Sequence, residues 1–260
     1  ATHTHPQAMM LLQMHHHVER DPVQHVSILE TCPLDKFQSS LAWMLENKLL
    51  LESSITNSAQ TRYLELAEQQ QCELGPDWYV SEKPLVINVG DGSTATRWLA
   101  EIMGMLGFNT YHYGGLIGGT WDATFRFSNT SEADMFDFIA DTPTSTLTWE
   151  LVQSHPNALF LMTMRDPVEW RDSRIKDHIG EPDLTQGLPC GVASLLDANN
   201  PAAETYVAYS AWAKCVIPED QFLGAVNVFA DENNDAEFVK KLIQQLEAHG
   251  LQKSDWENRT

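Results

Sequence analysis

Residues 84–106, PLVINVGDGSTATRWLAEIMGML, give the clearest indication of the fold class of this chain. Residues 84–90 form a short apolar, β-branched run that is typical of a buried parallel strand. The loop 90–96 consists of small residues, and residues 97–106 then repeat apolar side chains at helical spacing. Residues 108–113 are predicted to form the next strand. This order of strand, loop, helix and strand predicts the opening of a nucleotide-binding α/β fold.

A second strand and helix follow the same pattern later in the chain. The apolar run from Ala158 to Met164 predicts a strand, and RDPVEWRDS, residues 165–173, opens the next helix with Asp166 as its cap and Pro167 at its first position. Helices and strands therefore alternate, which predicts a mostly parallel sheet. The remaining predicted elements are helices at 145–154, 202–216 and 235–249, a strand at 221–229 and a surface loop at 180–200.

The first 80 residues differ from this pattern and predict a helical extension. Residues 35–51 and 61–73 have helical spacing, whereas residues 1–30 are rich in His, Met and Gln. A polar extension is favoured there over a metal-binding tract. The sequence thus predicts two parts, an N-terminal extension at 1–80 and an α/β domain at 81–260.

Length and charge exclude several classes of protein. The chain of 260 residues has a formal net charge of −20, so duplex nucleic acid would be repelled. No apolar run reaches the ~18 residues that a membrane span requires. An anion bound by this chain must therefore be held locally, against a negative global field.

The four cysteines, Cys32, Cys72, Cys190 and Cys215, are widely separated and lack the spacing of a zinc site. Four cysteines can form two disulfides, but free thiols in a reducing compartment are the favoured expectation. A cytoplasmic protein is expected accordingly. The Golgi lumen or another organelle is the alternative if an upstream targeting segment has been removed.

Three chemistries use a small-residue loop at a helix N-terminus, where backbone N–H groups face an anion. A nucleotide-hydrolysing P-loop needs GxxxxGK[ST], and this loop lacks the second glycine and the lysine. Gly90, Gly92 and Ala95 match the GxGxxA of a dinucleotide oxidoreductase or a methyltransferase, yet no acidic residue follows the second strand to bind ribose. The third chemistry is the binding of a ligand with two anionic ends. The loop would hold one anionic end of such a ligand. Arg165, at a strand end, and Ser173, further along the next helix, are candidates to bind the other end.

These segments resemble the sulfotransferase superfamily, in the group with a first loop of roughly GxxRTGTTSL and a later strand that runs into RDPxxWxxS. The matching stretches are VGDGSTATRWL (89–99), LGFNTYHY (106–113), DTP (141–143), Glu150-Leu151 and HPNALFLMTMRDPVEWRDS (155–173). The resemblance covers residues 84–178 well and the rest up to 249 loosely, and it leaves out the first 80 residues.

The resemblance implies a three-layer α/β/α fold with a mostly parallel central sheet, similar to P-loop nucleotide hydrolases, preceded by the helical extension. It implies transfer of a sulfuryl group from 3′-phosphoadenosine 5′-phosphosulfate (PAPS) to a hydroxyl or amine of a small-molecule, glycan or peptide acceptor, without a metal. The residues implied around the 5′-phosphosulfate are Gly92, Ser93, Thr94, Ala95, Thr96 and Arg97. Those implied around the 3′-phosphate are Arg165 and Ser173.

Two residues are candidates for the base that removes the acceptor's proton. Asp141 stands where the resemblance places a histidine in the cytosolic branch, and it can act as a base if burial raises its pKa toward working pH. The other interpretation is an aspartate that only caps the following turn. His112, at the end of the second strand, is the second candidate, although a histidine here also fits a packed strand position.

Two departures from the family pattern bear on activity. Ser93 stands where the family has Lys or Arg, and Ala95 replaces a loop glycine, so Arg97 is a hypothetical substitute cation. The alternative hypothesis is a catalytically weakened sulfotransferase fold kept for binding or assembly, with a protein partner contacted through the N-terminal extension.

Overall fold

The computed structural model describes residues 32–51, 58–59, 61–64, 78–113, 115–116, 130–142, 144–177, 201–230 and 234–251. Residues 31–260 form one compact unit. The His- and Met-rich tract at 1–30 and the predicted loop at 180–200 lie outside the described residues.

The described elements alternate as the sequence predicts. The helices are α1 (Leu34–Glu46), α2 (Thr96–Met105), α3 (Thr148–Ser154), α4 (Pro167–Asp177), α5 (Ala203–Val216) and α6 (Asn234–Ala248). The strands are β1 (Val86–Asn88), β2 (Thr110–His112), β3 (Gly115–Leu116), β4 (Phe138–Ala140), β5 (Leu159–Thr163) and β6 (Phe222–Val226). Short 3-10 turns lie at Ser131–Met135, Ser145–Leu147 and Glu219–Gln221.

The strands form one sheet in the order β3-β2-β4-β1-β5-β6. β1 lies in its centre and pairs in parallel with both neighbours, so that Val86 stands beside Phe138 of β4 and Leu159 of β5. Among the described strands, β3 alone runs antiparallel, against β2. The carboxyl ends of β1, β2, β4 and β5 therefore meet at one edge of the sheet, where open parallel sheets bind their ligands.

Helices cover both faces of the sheet because its strands are apolar on both faces. The buried Val86 packs in one core cluster with Leu99 and Met103 of α2 and with Leu242 of α6. The adjacent Ile87 is equally buried and points to the other face, since side chains alternate along a strand. The helices α1, α3 and α4 pack against α5. The three-layer α/β fold predicted from the sequence is thus confirmed.

Several predicted bounds are corrected. α1 ends at Glu46 rather than near residue 51, because the chain turns at Lys48, whose φ is 58°. Residues 145–147 form a 3-10 turn before α3, and β6 ends at Val226 rather than at residue 229. The sequence missed β4, since three apolar residues are too few for periodicity to identify a strand. Of the helix predicted at 61–73, residues 61–64 are helical and the rest lies outside the described residues.

Cys32 and Cys215 form a disulfide, with their Cα atoms 5.6 Å apart. The expectation of free thiols is therefore wrong for this pair. The bond joins the segment before α1 to the end of α5. These two helices pack against each other, although the cysteines are 183 residues apart in sequence. Spacing along the chain could not reveal that packing. Cys72 and Cys190 lie outside the described residues.

Neither a membrane span nor a metal cluster is found in the part of the chain that the structure describes. None of its helices is both long and apolar enough to cross a bilayer. Its His, Cys, Asp and Glu side chains also form no group of three or more that could hold a metal ion.

Candidate functional site

Loop 90–96 leaves the carboxyl end of β1 and is fitted tightly against β5. A Cβ at Gly90 would lie 2.3 Å from Thr163 Oγ1 and 2.4 Å from the Thr163 carbonyl oxygen, so only glycine fits there. Thr94 Oγ1 lies 2.8 Å from the same threonine hydroxyl and donates to the Asp91 carbonyl oxygen at 2.5 Å. These contacts hold the loop in one conformation.

The Asp91 side chain joins the loop to the 3-10 turn at Ser145–Leu147 and to α4. Its Oδ1 accepts a 2.8 Å hydrogen bond from the Ser145 hydroxyl. The indole N–H of Trp170 on α4 lies 3.2 Å from Asp91 Oδ2 and 3.0 Å from the Gly92 carbonyl oxygen. Burial raises the pKa of Asp91, while the charge of Arg174 and the bond from Ser145 act in the opposite direction.

Backbone strain is concentrated around this loop. Among the described residues, six other than glycine have positive φ, and four of them lie at the carboxyl ends of β1, β2 and β4: Ser93 (69°), Ala95 (69°), Tyr113 (42°) and Asp141 (72°). Such conformations cost about 1–3 kcal/mol each, and the surrounding structure must enforce them. Left-handed non-glycine residues of this kind are frequent where a protein binds or transforms a ligand.

Arg165 reaches the loop from the end of β5. Its Nη1 lies 3.4 Å from the Ser93 carbonyl oxygen, and its guanidinium stacks over the Phe229 ring, 4.4 Å from the ring centroid. Its Nε lies 3.4 Å from Glu169 Oε2, in an exposed i,i+4 pair. The second predicted anion-binding segment is therefore in contact with the first.

α4 begins as the sequence predicts. Asp166 Oδ1 accepts the backbone N–H groups of Val168 at 2.9 Å and Glu169 at 3.1 Å, which caps the helix that Pro167 starts. The next turns of α4 form one wall of an open cleft of about 400 Å³ beside Arg165. The cleft is lined by Arg165, Glu169, Asp172, Ser173, Lys176 and Asp177.

The two candidate bases contact each other at the ends of β2 and β4. His112 Nε2 lies 2.9 Å from Asp141 Oδ2, and both side chains are only about 10% exposed. Thr96, the first residue of α2, donates its hydroxyl to the same carboxylate oxygen at 2.7 Å and lies 3.1 Å from His112 Nε2. Asp141 Oδ1 also accepts the backbone N–H of Thr142 at 2.6 Å, which is the turn-capping role considered from the sequence.

The pKa of Asp141 does not rise toward working pH as a base would require. Burial does favour the neutral acid, but the hydrogen bond and charge of His112, together with the bonds from Thr96 and Thr142, lower the pKa to about 2. Asp141 is therefore ionised and can only accept hydrogen bonds. The hydrogen bond between the two side chains is therefore donated by His112 Nε2 and accepted by Asp141 Oδ2.

Residues 85–188 match the family model described as a sulfotransferase domain. This part of the chain is similar to sulfotransferase domains. The resemblance drawn from the loop and the RDPxxWxxS segment is thus confirmed over these residues. A search of curated proteins found no match. The matched residues include the loop, the His112–Asp141 pair, Arg165 and the whole of α4.

Sequence reasoning did not single out Arg174, which lies on α4 against the loop. Arg174 is 3% exposed, and its Nη1 would lie 2.4 Å from a Cβ at Gly92. Arg97, the substitute cation considered from the sequence, is instead exposed on α2. The signal for Arg174 was its place on α4 directly after Ser173, but helical spacing alone does not say which residues of α4 face the loop.

Two unpartnered polar groups near the loop suit an anionic ligand. Ser93 Oγ and Arg174 Nε are buried and have no hydrogen-bond partner within the described part of the chain. Hydroxyl and guanidinium donors suit phosphate and sulfate oxygens. The nearby cleft of about 400 Å³ also lies within the range of about 300–1,000 Å³ that is usual for small-molecule sites.

Proposed function

We propose that this protein transfers a sulfuryl group from PAPS to a hydroxyl or amine acceptor. A sulfotransfer-type function in general is supported by the match of residues 85–188 to the sulfotransferase family model. The observation that carries the choice of donor is the 3.4 Å contact between Arg165 Nη1 and the Ser93 carbonyl oxygen. It brings the candidate residues for both anionic ends of one nucleotide to the same edge of the sheet.

The loop would hold the 5′ end of the donor. Its backbone enters α2 at Thr96, and the N–H groups of a helix's first turn are free to bind an anion. The unpartnered Ser93 hydroxyl adds a donor at the same place. Arg165 and Ser173, which line the cleft together, would hold the 3′-phosphate. The exposed Phe229 ring beneath the Arg165 guanidinium helps to fix its orientation.

His112 is the proposed general base, with Asp141 as the group that orients it. The ionised Asp141 accepts the Nε2 proton at 2.9 Å, which fixes the ring and its tautomer. His112 Nδ1, which has no hydrogen-bond partner among the described residues, then takes the proton of the acceptor. This reverses the order of the two candidates given by the sequence.

PAPS supplies an activated sulfuryl group, which leaves behind 3′-phosphoadenosine 5′-phosphate when its bond to the phosphate oxygen breaks. The chain's residues position the reactants and carry the acceptor proton, so no resident metal is needed for the roles assigned here. A small neutral acceptor is favoured over a highly anionic glycan, because the net charge of −20 opposes the approach of an anion.

An oxidising compartment is part of the same proposal. The Cys32–Cys215 bond is of the kind that forms and persists in secreted proteins or organelle lumens and is rare in the cytosol. We therefore favour a lumenal or extracellular location over the cytoplasmic one expected from the sequence.

Calorimetry with 3′-phosphoadenosine 5′-phosphate tests the choice of donor. We expect micromolar binding by the wild-type protein and a loss of about 10- to 100-fold for Arg165→Gln, since a charge-assisted contact with phosphate is removed. Arg171→Gln is the matched control, because that side chain is exposed on the same helix and pairs with Asp172. Absence of binding at millimolar nucleotide would favour the weakened, partner-binding alternative.

Sulfuryl transfer from PAPS to a panel of hydroxyl and amine acceptors tests the base. We expect His112→Gln to bind the nucleotide as the wild type does and to lose about 100- to 10,000-fold in transfer rate. An unchanged transfer rate would remove His112 from the mechanism.

A further inference from the structure

Arg174 is a buried cation that the roles assigned above do not use. It lies on α4, is 3% exposed, and follows Ser173 directly. Arginine is almost never fully buried unless its charge is compensated. A compensating negative group is therefore expected close to Arg174.

The guanidinium lies against the inner side of the loop. The space that a Cβ at Gly92 would occupy is 2.4 Å from Arg174 Nη1 and 2.9 Å from Asp141 Oδ1. The absence of a side chain at Gly92 is thus what lets the cation approach the loop backbone. Gly92 itself has no positive φ, so this packing, and not its backbone conformation, is what requires glycine.

The nearby carboxylates leave the cation incompletely paired. The charge of Arg174 lowers the pKa of Asp91, but the two carboxylate oxygens of Asp91 accept hydrogen bonds from Ser145 and Trp170. Asp141 is occupied by His112, Thr96 and the backbone N–H of Thr142. Arg174 Nε, meanwhile, is buried and lacks a hydrogen-bond partner in the described part of the chain.

We propose that Arg174 supplies the positive charge with which loop 90–96 binds the anionic 5′ end of the nucleotide donor. The ligand group is a phosphate or sulfate oxyanion held by the loop backbone, and Arg174 acts on it through Gly92 as a positioning residue. The inference rests on the proposed function. It explains how a loop with Ser93 at its tip binds an anion, and a buried guanidinium is already ordered before the ligand arrives.

The test compares two nucleotides by calorimetry. 3′-Phosphoadenosine 5′-phosphate carries the 5′ group, whereas adenosine 3′-monophosphate lacks it. We expect Arg174→Gln to weaken binding of the first by about 10- to 100-fold and to leave the second within about twofold of the wild type. Arg174→Lys, which keeps the charge, should recover most of the affinity. Arg171→Gln is the control and should bind both nucleotides within about threefold of the wild type.

Each other result counts against the proposal. Equal weakening for both nucleotides would mean that Arg174 only maintains the fold, and no weakening would mean that its charge does not act on the ligand. If Arg174→Gln does not fold, the Gly92→Ala variant is measured in its place. The added Cβ displaces the guanidinium and should selectively weaken binding of the bisphosphate. An alanine variant with wild-type affinity would then overturn the proposal.

Failure of the proposed function can be told apart from failure of this inference. If the wild-type protein binds neither nucleotide, inorganic pyrophosphate becomes the probe. Pyrophosphate binding that is lost in Arg174→Gln would keep the anion site while refuting the PAPS donor. Pyrophosphate binding that persists in that variant, or is absent from the wild type, would overturn the role of Arg174.

Discussion

Removing the Cys32–Cys215 bond should lower the free energy of unfolding by about 5 kcal/mol. The cross-link closes a loop of 183 residues, and the chain-entropy relation for a loop of that length gives about 5 kcal/mol at 25 °C. The double variant Cys32→Ala/Cys215→Ala has the same folded contacts apart from the two sulfur atoms. Most of the loss therefore comes from the greater freedom of the unfolded chain.

Urea denaturation under oxidising conditions, compared with the same measurement under reducing conditions, isolates this bond. Wild type and double variant should differ by about 5 kcal/mol when oxidised and by about 1 kcal/mol or less when reduced. Cys72 and Cys190 are present in both proteins, so any contribution from them cancels. A difference of less than about 2 kcal/mol in the oxidised state would refute the entropic argument, and alkylation of both cysteines in the unreduced native protein would refute the bond itself.

Three further changes test the site. Gly90→Ala places a Cβ against the Thr163 backbone and should cost about 3 kcal/mol or more, measured by thermal unfolding; a cost below about 1 kcal/mol would mean that the loop moves easily. Glu169→Gln frees the Arg165 guanidinium from an exposed partner and should tighten binding of 3′-phosphoadenosine 5′-phosphate by up to about fivefold, while weaker binding would show that the glutamate helps to hold the arginine in place. Asp141→Asn should cost about 2 kcal/mol at pH 7, since the folded pKa of about 2 lies below the ordinary aspartate pKa of 3.8; the difference should be constant above about pH 4 and shrink as the pH falls toward 2, and a difference that grows on acidification would contradict the ionised state.

The elements around the loop could be predicted from the sequence because each has a strong local signal. The strand before Gly90 is a continuous apolar run, α2 has an apolar stripe, and α4 begins with an aspartate cap and a proline. The topology then places the ends of β1 and β5 side by side. Those two facts suffice to bring loop 90–96 and Arg165 to one edge of the sheet.

The parts that were missed depend on contacts between segments far apart in the chain. β4 is too short to identify by pattern, yet it carries Asp141 into contact with His112. The low pKa of Asp141 depends on that contact, so burial alone predicted the wrong direction. The position of Arg174 against Gly92 likewise depends on how α4 is rotated about its axis, which sequence spacing does not specify.

The proposed site is compatible with a net charge of −20 on the chain. At physiological ionic strength charges are screened over about 8 Å, so most of the surface acids act on the rate of approach and little on affinity. Affinity depends on groups close to the ligand. In the proposed site the positive charges of Arg165 and Arg174 offset the negative charges of the nearby carboxylates. The long, dense phosphate array of duplex nucleic acid meets the whole acidic surface, whereas a single nucleotide meets only this edge of the sheet. Repulsion of duplex nucleic acid is therefore compatible with the proposed binding of a single nucleotide.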